Sequence, residues 1–579
     1  MYLKSLYPPL PPTPSECNYH NLCFNSQTTQ ADYTLHVDGV TGQSRTKSEF
    51  YERIRDGATA LGAPTTEGGL GLNGQDDVVA IFSVNCLDYI ALVHSLLIIT
   101  TPFALISAYS THHELVHSIG IVKPTVLFVH GSLLTAALRA AKELHIPESR
   151  IFLLEGTSPY PKLSFNDLVN SVQKRAIPRV AVRPATKDTL AYLVFSSGTT
   201  GLPKALMVSH GNLWFTIISA TVHVQEEMKG LPITKSRASQ MVVLAALPFH
   251  HSYGLHMFCL RGFAFPSTFV VLPRWDDDLV LRSIPKFGIT LFASVPSVVH
   301  RLVTNGKLER ANLKTVDTVL CGAAHLPEEL VQKISEIFRL QQPLNRGYGL
   351  SECTLTVCLR PRPGLFGMYP GRNTVGILTP GVEAKILRDD GRIATVNEPG
   401  ELWVRGGNVV LGYYRNDRAT KEAFVDGWVR TGDKFRVDED GFFYFVDRVK
   451  DTLKISGVQV SPTEIEDLMR GHNANLISDV CVAGVSGGRT SDEKIPRAWI
   501  VLSEEGKKFG VDNTVSVLGQ WVKHNLSSYK WLRGGFEIVN EIPKSPTGKP
   551  HVPRKDGESL LKRTLAAGEL IIVTLRHYL

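Results

Sequence analysis

The strongest constraint on the fold is a recurring pattern in which a short, wholly apolar run is followed by a helical stretch. Residues 77–83 (Asp77-Val78-Val79-Ala80-Ile81-Phe82-Ser83) read as a strand buried on both faces, followed by a helical run near residues 88–99 and then by Pro102. A second unit runs from Glu114-Leu115-Val116-His117 into Thr125-Val126-Leu127-Phe128-Val129, and a third places Ile151-Phe152-Leu153-Leu154 before Pro159. Strands that are apolar throughout, in alternation with helices, belong to parallel sheets covered by helices on both faces. The chain of 579 residues, 43% hydrophobic and 20% charged, is long enough for a large core of this kind and at least one further domain.

Residues 192–212 read YLVFSSGTTGLPKALMVSHGN. A short β-prone run opens into a loop of small and hydroxylated residues that closes on Lys204. Gly198 and Gly201 let backbone N–H groups approach an anion, Ser196, Ser197, Thr199 and Thr200 donate hydrogen bonds, and Lys204 adds a charge. The G-x4-G-K-[ST] loop of P-loop nucleotidases is absent from the whole chain.

Four further stretches carry candidate chemistry. The apolar strand at residues 241–247 leads into Pro248-Phe249-His250-His251-Ser252-Tyr253-Gly254, which sits where open α/β sheets bind ligands. The strand at residues 318–321 leads into Gly322-Ala323-Ala324-His325, followed later by Gly347-Tyr348-Gly349-Leu350-Ser351-Glu352, a carboxylate next to a hydroxyl and a plausible Mg²⁺ and phosphate pair. From Gly381 the texture turns to β-hairpins with Asp390-Gly391 and Asp440-Gly441 at their turns, and between them lies Gly427-Trp428-Val429-Arg430-Thr431-Gly432-Asp433. Residues 447–457 are charged and suit a linker, after which Pro462 and the acids behind it open a helix; near the end, Pro543-Lys544-Ser545-Pro546-Thr547-Gly548-Lys549 presents a lysine on a rigid turn.

Taken together, these motifs resemble those of the adenylate-forming superfamily, which holds acyl-CoA ligases, firefly luciferase and the adenylation domains of peptide synthetases. The match runs from about Asp77 to Lys555, through six motifs in order. The resemblance implies an α/β fold with a large N-terminal domain of parallel, helix-covered sheets plus a β-rich subdomain, and a smaller, mobile α+β C-terminal domain. Expected boundaries are a proline-containing lead at 1–30, disordered or hugging the surface, an AMP-binding domain at 31–446 with its subdomain at about 375–446, a hinge at 447–451 and the C-terminal domain at 452–579.

The resemblance also implies roles. Ser196, Ser197, Gly198, Thr199, Thr200, Gly201 and Lys204 hold the β- and γ-phosphates of ATP, Ala324, Tyr348 and Ser351 line the nucleotide, and Asp433 and Arg448 hold ribose. Glu352 binds Mg²⁺; His251, Tyr253, Gly322, Ala323 and Gly347 line the acyl pocket. Lys549, Lys454 and His251 form the catalytic set, Lys450 is the pivot, and Lys454 with Gly457 borders the CoA path. Three positions depart from the usual pattern: Ser351 replaces threonine and keeps the hydroxyl, Arg346 replaces glutamine and alters pocket polarity, and His325 replaces proline. The implied reaction uses ATP, Mg²⁺ and CoA to make an acyl- or aryl-CoA thioester in the manner of coumarate:CoA ligases. A stand-alone adenylating enzyme loading a separate carrier protein is the alternative, and a catalytically silent nucleotide-binding protein is the alternative of another class.

Other patterns lead elsewhere or nowhere. The net charge of +7 suits anionic ligands, but no Lys/Arg block suggests a nucleic-acid groove. Residues 69–74 spell GxGxxG ahead of a strand rather than behind one, and residues 113–117 spell HExxH without other features of a metalloprotease. Residues 89–113 lack Asp, Glu, Lys and Arg, yet Pro102 and scattered polar residues divide them into a buried helix and a second element, so no transmembrane segment is expected. Eight scattered cysteines without a CxxC pair read as free thiols. With no secretory core at the N-terminus and no Ser-Lys-Leu type ending, the expected location is cytoplasmic.

Lys549→Ala is expected to abolish acyl-adenylate formation, by on the order of 10²-fold or more, because it removes a preorganised charge from the transition state. Thermal stability and ATP binding should be nearly unchanged. Single-turnover pyrophosphate release checks the first expectation; a rate within about threefold of wild type refutes the assignment.

Overall fold

The apolar runs fold into two parallel sheets with a shared core. In the computed structural model the described residues are 2–24, 32–196, 203–230, 240–263, 266–304, 306–322, 328–340, 344, 346–448, 453–455, 458–487 and 494–542. One six-stranded sheet has the order Ile151–Leu153, Val126–Val129, Val79–Phe82, Phe103–Ile106, Leu190–Ser196, Lys204–Ser209, and its first five strands are parallel. The other has the order Thr318–Cys321, Leu291–Ser294, Met241–Ala245, Ser267–Val271, Thr34–Asp38, Ser44–Thr46; only the last pairing is antiparallel. Residues of both sheets, including Ile81 and Leu105 from one and Val243 and Val271 from the other, share a single buried cluster with the helix Leu87–Ile98.

All residues of that helix are buried, as expected for a helix that is apolar on every side. Its one charge, Asp88, lies in the first turn, where the helix dipole favours an anion, and it accepts hydrogen bonds from Arg53 Nε at 2.8 Å and Arg45 at 3.0 Å. The run 89–113 is therefore a core helix followed by the strand Phe103–Ile106. Among the described residues no helix is long and apolar enough to cross a membrane.

A third sheet is antiparallel, in the order Tyr2–Lys4, Glu383–Leu387, Gly400–Arg405, Trp428–Val437, Phe424–Val425, with Phe443–Arg448 also pairing Trp428–Val437. Gly391 and Gly441, with φ of 81° and 83°, make the expected hairpin turns. The lead is not disordered over its described part. Tyr2–Lys4 adds a strand to this sheet, Tyr7 OH bonds His223 Nδ1 at 2.9 Å, and fully buried Tyr19 donates from its hydroxyl to the Leu260 carbonyl at 2.6 Å. Tyr7 and Tyr19 anchor the lead, and their burial offsets the entropy of ordering the proline-containing stretch between them.

The chain divides into two compact units: residues 1–108, 115–195 and 205–449 form the first, and residues 109–114, 196–204 and 450–579 the second. The second unit has the antiparallel pair Ile477–Ser486 and Lys494–Leu502, extended in parallel by Phe536–Ile538, with the helices Pro462–Arg470 and Val511–Asn525. Pro462 stands at the start of its helix as the sequence suggests. All eight cysteines lie among the described residues and none is in a disulfide.

Within the second unit lies a buried ionic cluster that explains the HExxH letters. Lys530 Nζ donates to Glu114 Oε1 and to Glu464 Oε1, each at 2.7 Å, and Glu114 also accepts from Ser527 Oγ at 2.5 Å and the Thr111 backbone at 2.9 Å. The two carboxylates face the same ammonium yet shift oppositely. Burial raises Glu464 although Lys530 opposes it, whereas Lys530 and the extra donors hold Glu114 below the ordinary value despite burial. Donor count decides the difference, since Glu464 Oε2 has no hydrogen-bond partner among the described residues.

Lys530→Met is expected to cost about 3–5 kcal/mol, because it leaves buried carboxylates without their cation. Urea unfolding followed by the tryptophans Trp499, Trp521 and Trp531 checks this; a loss under about 1 kcal/mol would show that the cluster is solvated.

Candidate active site

The first group of candidate residues stands at the carboxyl end of the strand Met241–Ala245. Asn85 fixes the chain there, accepting from Phe249 N at 2.9 Å and donating to the carbonyls of Leu247 and Leu272 at 3.0 and 3.1 Å. His251 then caps the one-turn helix Ser252–Gly254: its Nδ1 accepts from Tyr253 N at 3.2 Å, which leaves the proton of the neutral ring on Nε2. The following turn, Leu255–Leu260, is π-helical, a form that concentrates at functional sites. Burial pushes the His250 imidazole down to about 3, so His250 is neutral near pH 7.

Tyr253 meets the strand Thr318–Cys321 at its carboxyl end. A methyl group on Gly322 would lie 3.7 Å from the Tyr253 ring, in ordinary contact, so these two predicted acyl-side residues are neighbours. Behind them burial pushes the Cys321 thiol up to about 12, with Arg346 opposing the shift; Arg346 is itself buried. The unusual arginine therefore places a charge close to this wall. Ala323, Ala324 and His325 lie outside the described residues.

The second group converges on the turn at residues 347–355. Gly347 pairs with Leu359, and a Cβ there would stand 2.7 Å from the Cys358 carbonyl, so the pairing itself demands glycine. Tyr348 packs edge-on against Phe435, with ring centroids 4.7 Å apart, and its hydroxyl donates to Asp433 Oδ2 at 2.7 Å. Asp433 is held in turn by its own N–H to Thr431 Oγ1 at 3.1 Å, and it is in register with Arg448 on the paired strand. Ser351–Cys353 is a single 3₁₀ turn, closed by Thr354 and Leu355 at φ of 47° and 102°. Left-handed non-glycine residues are strained, and here they begin two residues after Glu352.

This turn touches both neighbours. Ser252 Oγ donates to Ser351 Oγ at 3.3 Å, joining the histidine segment to the carboxylate segment. Glu352 is 9% exposed and accepts from the Tyr413 hydroxyl at 3.2 Å, while its carbonyl accepts from Val410 N at 3.1 Å. A buried carboxylate beside hydroxyls is an all-oxygen donor set that fits Mg²⁺, which takes one or two carboxylates and completes its shell with phosphate and water.

Other candidates are placed separately. Ser196 ends the strand Leu190–Ser196 and Lys204 begins Lys204–Ser209. Ser197, Gly198, Thr199, Thr200 and Gly201 between them lie outside the described residues, as do Lys450, Gly457 and Lys549. Lys454 belongs to the second unit, paired with Gln459 in the hairpin Leu453–Ile455 and Val458–Val460.

Sequence reasoning missed residues 406–414. Asn212 donates to the carbonyls of Gly407 and Val409 at 2.8 and 2.9 Å, Thr354 Oγ1 donates to Asn408 O at 2.6 Å, and Tyr413 reaches Glu352. The stretch GGNVVLGYY has no polar signature of its own, and two adjacent tyrosines are its only cue.

A model of the AMP-binding enzyme family matches residues 24–414, and one of the AMP-binding enzyme C-terminal domain matches residues 464–549. A Dictyostelium discoideum protein named "Probable 4-coumarate--CoA ligase 1" is 30% identical, over 90% of this chain and 91% of its own. The acyl-CoA ligase AFT1-1 of Alternaria alternata is 30% identical, over 94% of each chain. The solved structure of o-succinylbenzoate CoA synthetase from Bacillus subtilis, a double mutant 23% identical, shares the fold with a TM-score of 0.73 over 96% of this chain and 100% of that one.

Gly349→Ala should disrupt the turn, because the added Cβ would fall 1.5 Å from the Leu355 carbonyl oxygen. The expected loss is about 1–3 kcal/mol by urea unfolding, as for overpacking of a rigid site. Wild-type stability would mean that the turn can open without cost.

Proposed function

Since this chain belongs to the AMP-binding enzyme family, we propose that it joins a carboxylic acid to CoA through an acyl-adenylate intermediate. The acid's carboxylate oxygen attacks the α-phosphorus of ATP, the bond to the β-phosphate oxygen breaks, and pyrophosphate leaves. The CoA thiol then gives up its proton, its sulfur attacks the acyl carbonyl, and AMP leaves. The first step replaces a poor leaving group by a good one.

The observation that carries this reading is the Tyr348–Asp433 hydrogen bond at 2.7 Å, in the same turn as Glu352. The Tyr348 ring offers a face for a purine and Asp433 offers acceptors for ribose hydroxyls. Glu352, with the Ser351 hydroxyl beside it, would hold Mg²⁺, which when bound neutralises phosphate charge. His251, neutral with its proton on Nε2, can donate to an oxygen of the acid, while the Tyr253 and Gly322 contact shapes the acyl wall and buried Arg346 makes it more polar. Ser196 to Gly201 and Lys204 take the outer phosphates, with Ala324 beside the nucleotide and Arg448 on the ribose. Lys549 bridges the carboxylate and α-phosphate, stabilising charge as it develops.

For the second step the reading assigns rotation of the C-terminal unit about Lys450, which withdraws Lys549 and brings Lys454 and Gly457 to the thiol path. The division of the chain into units between Val449 and Lys450 supports this.

The decisive assay measures ATP-dependent pyrophosphate release over aryl, short-chain and long-chain acids, with CoA, a pantetheinylated carrier protein, or neither. Release that requires an acid, with thioester formed on CoA, is expected. Absence of acid-stimulated release would make the chain a silent nucleotide binder; thioester on the carrier alone would move it to the carrier-loading class.

A further inference from the structure

We propose that Tyr413 is a positioning residue for the cation, its phenol holding the Glu352 carboxylate in the orientation that receives a divalent metal. This rests on the assignment of Glu352 above. The phenol donates to Glu352 Oε1 at 3.2 Å, and both residues are buried, at 7% and 9% exposure. Main chain and carboxylate of Glu352 are gripped from one short segment, since Val410 N donates to the Glu352 carbonyl at 3.1 Å only three residues before Tyr413.

That segment is itself fixed. Leu411 N donates to Met207 O and Met207 N to Gly412 O, both at 2.9 Å, and Tyr414 N donates to Ala205 O at 2.7 Å, so residues 411–414 run along the strand that leaves the glycine-rich loop. Tyr413 N donates to Thr420 Oγ1 at 2.9 Å, and the Tyr413 ring packs edge-on against Phe424 with centroids 5.8 Å apart. A phenol so restrained has little freedom to follow a wandering carboxylate, and the bond restrains Glu352 instead. Oxygen ligands of Mg²⁺ must meet near-octahedral geometry, so fixing the ligand before the metal arrives raises affinity. Partners that orient a metal ligand are typically worth about 10–100-fold in metal affinity.

Tyr413→Phe keeps the ring and its packing and removes only the hydroxyl. The test is Mn²⁺ binding followed by the electron paramagnetic resonance of free Mn²⁺, with a non-hydrolysable ATP analogue present, for wild type, Tyr413→Phe, Glu352→Gln and the double variant. Mg²⁺ titrations of pyrophosphate release run beside it. About tenfold weaker Mn²⁺ binding is expected for Tyr413→Phe, with the release rate recovered at saturating Mg²⁺ and the double variant no weaker than Glu352→Gln alone. A Tyr413→Phe isotherm that superimposes on wild type, while Glu352→Gln binds weakly, overturns the role of Tyr413 and leaves that of Glu352. Weakening that adds in the double variant also overturns it, because Tyr413 would then act apart from Glu352. If Glu352→Gln binds Mn²⁺ as wild type does, the metal assignment fails and this proposal with it. Far-UV circular dichroism and metal-free analogue binding report whether each variant is folded.

Discussion

The hydrogen bond from the Tyr348 phenol to Asp433 spans 85 residues of sequence and ties the turn beside the parallel strands to the antiparallel sheet. Asp433 is 3% exposed, so this is a buried, charge-assisted hydrogen bond. Position at each end is inherited from a ladder. Asp433 takes its place from the strand Trp428–Val437, where it pairs with Arg448 of Phe443–Arg448, and Tyr348 from the short pairing of Gly347–Tyr348 with Cys358–Leu359. A bond between two fixed ends can specify geometry to a fraction of an ångström, which a bond between two loops cannot.

Around that bond the chain uses one segment several times. Residues 406–414 receive the first turn of the helix His210–Met228 through Asn212, hold the strained pair after Glu352 through Thr354, and lie along Ala205–Met207. The capping box of that helix, Ser209 with Asn212, thus does more than satisfy orphan N–H groups, because the same Asn212 side chain donates onward to the segment. Strain at Thr354 and Leu355 persists because surrounding bonds over-determine it.

The HExxH letters show how misleading a short motif is when its surroundings are unknown. Glu114 accepts hydrogen bonds from Lys530, Ser527 and Thr111, and Ser527 and Lys530 come from a point more than four hundred residues away in sequence. The lead is a second case: its prolines left disorder and a surface-hugging path both open, and Tyr7 and Tyr19 bury their rings against elements that only the folded chain brings near.

The sequence by itself pointed to the parallel sheets, because short apolar runs alternating with helical stretches fit strands buried between helices, and it determined the hairpins, whose Asp-Gly turns are local in cause. Tyr348, Ser351, Glu352 and Asp433 stood out only because their motifs resemble those of the adenylate-forming superfamily; by themselves the residues fit a helix cap and a turn equally well. Tertiary structure alone decided which of them meet. The Tyr348 to Asp433 bond, the Ser252 to Ser351 contact and the grip of Tyr413 on Glu352 all join residues far apart in sequence, and no periodicity encodes such distances. Local chemistry sets what a strand or turn can be; which side chains share a site depends on strand order, and strand order is settled by how the two sheets bury a common core.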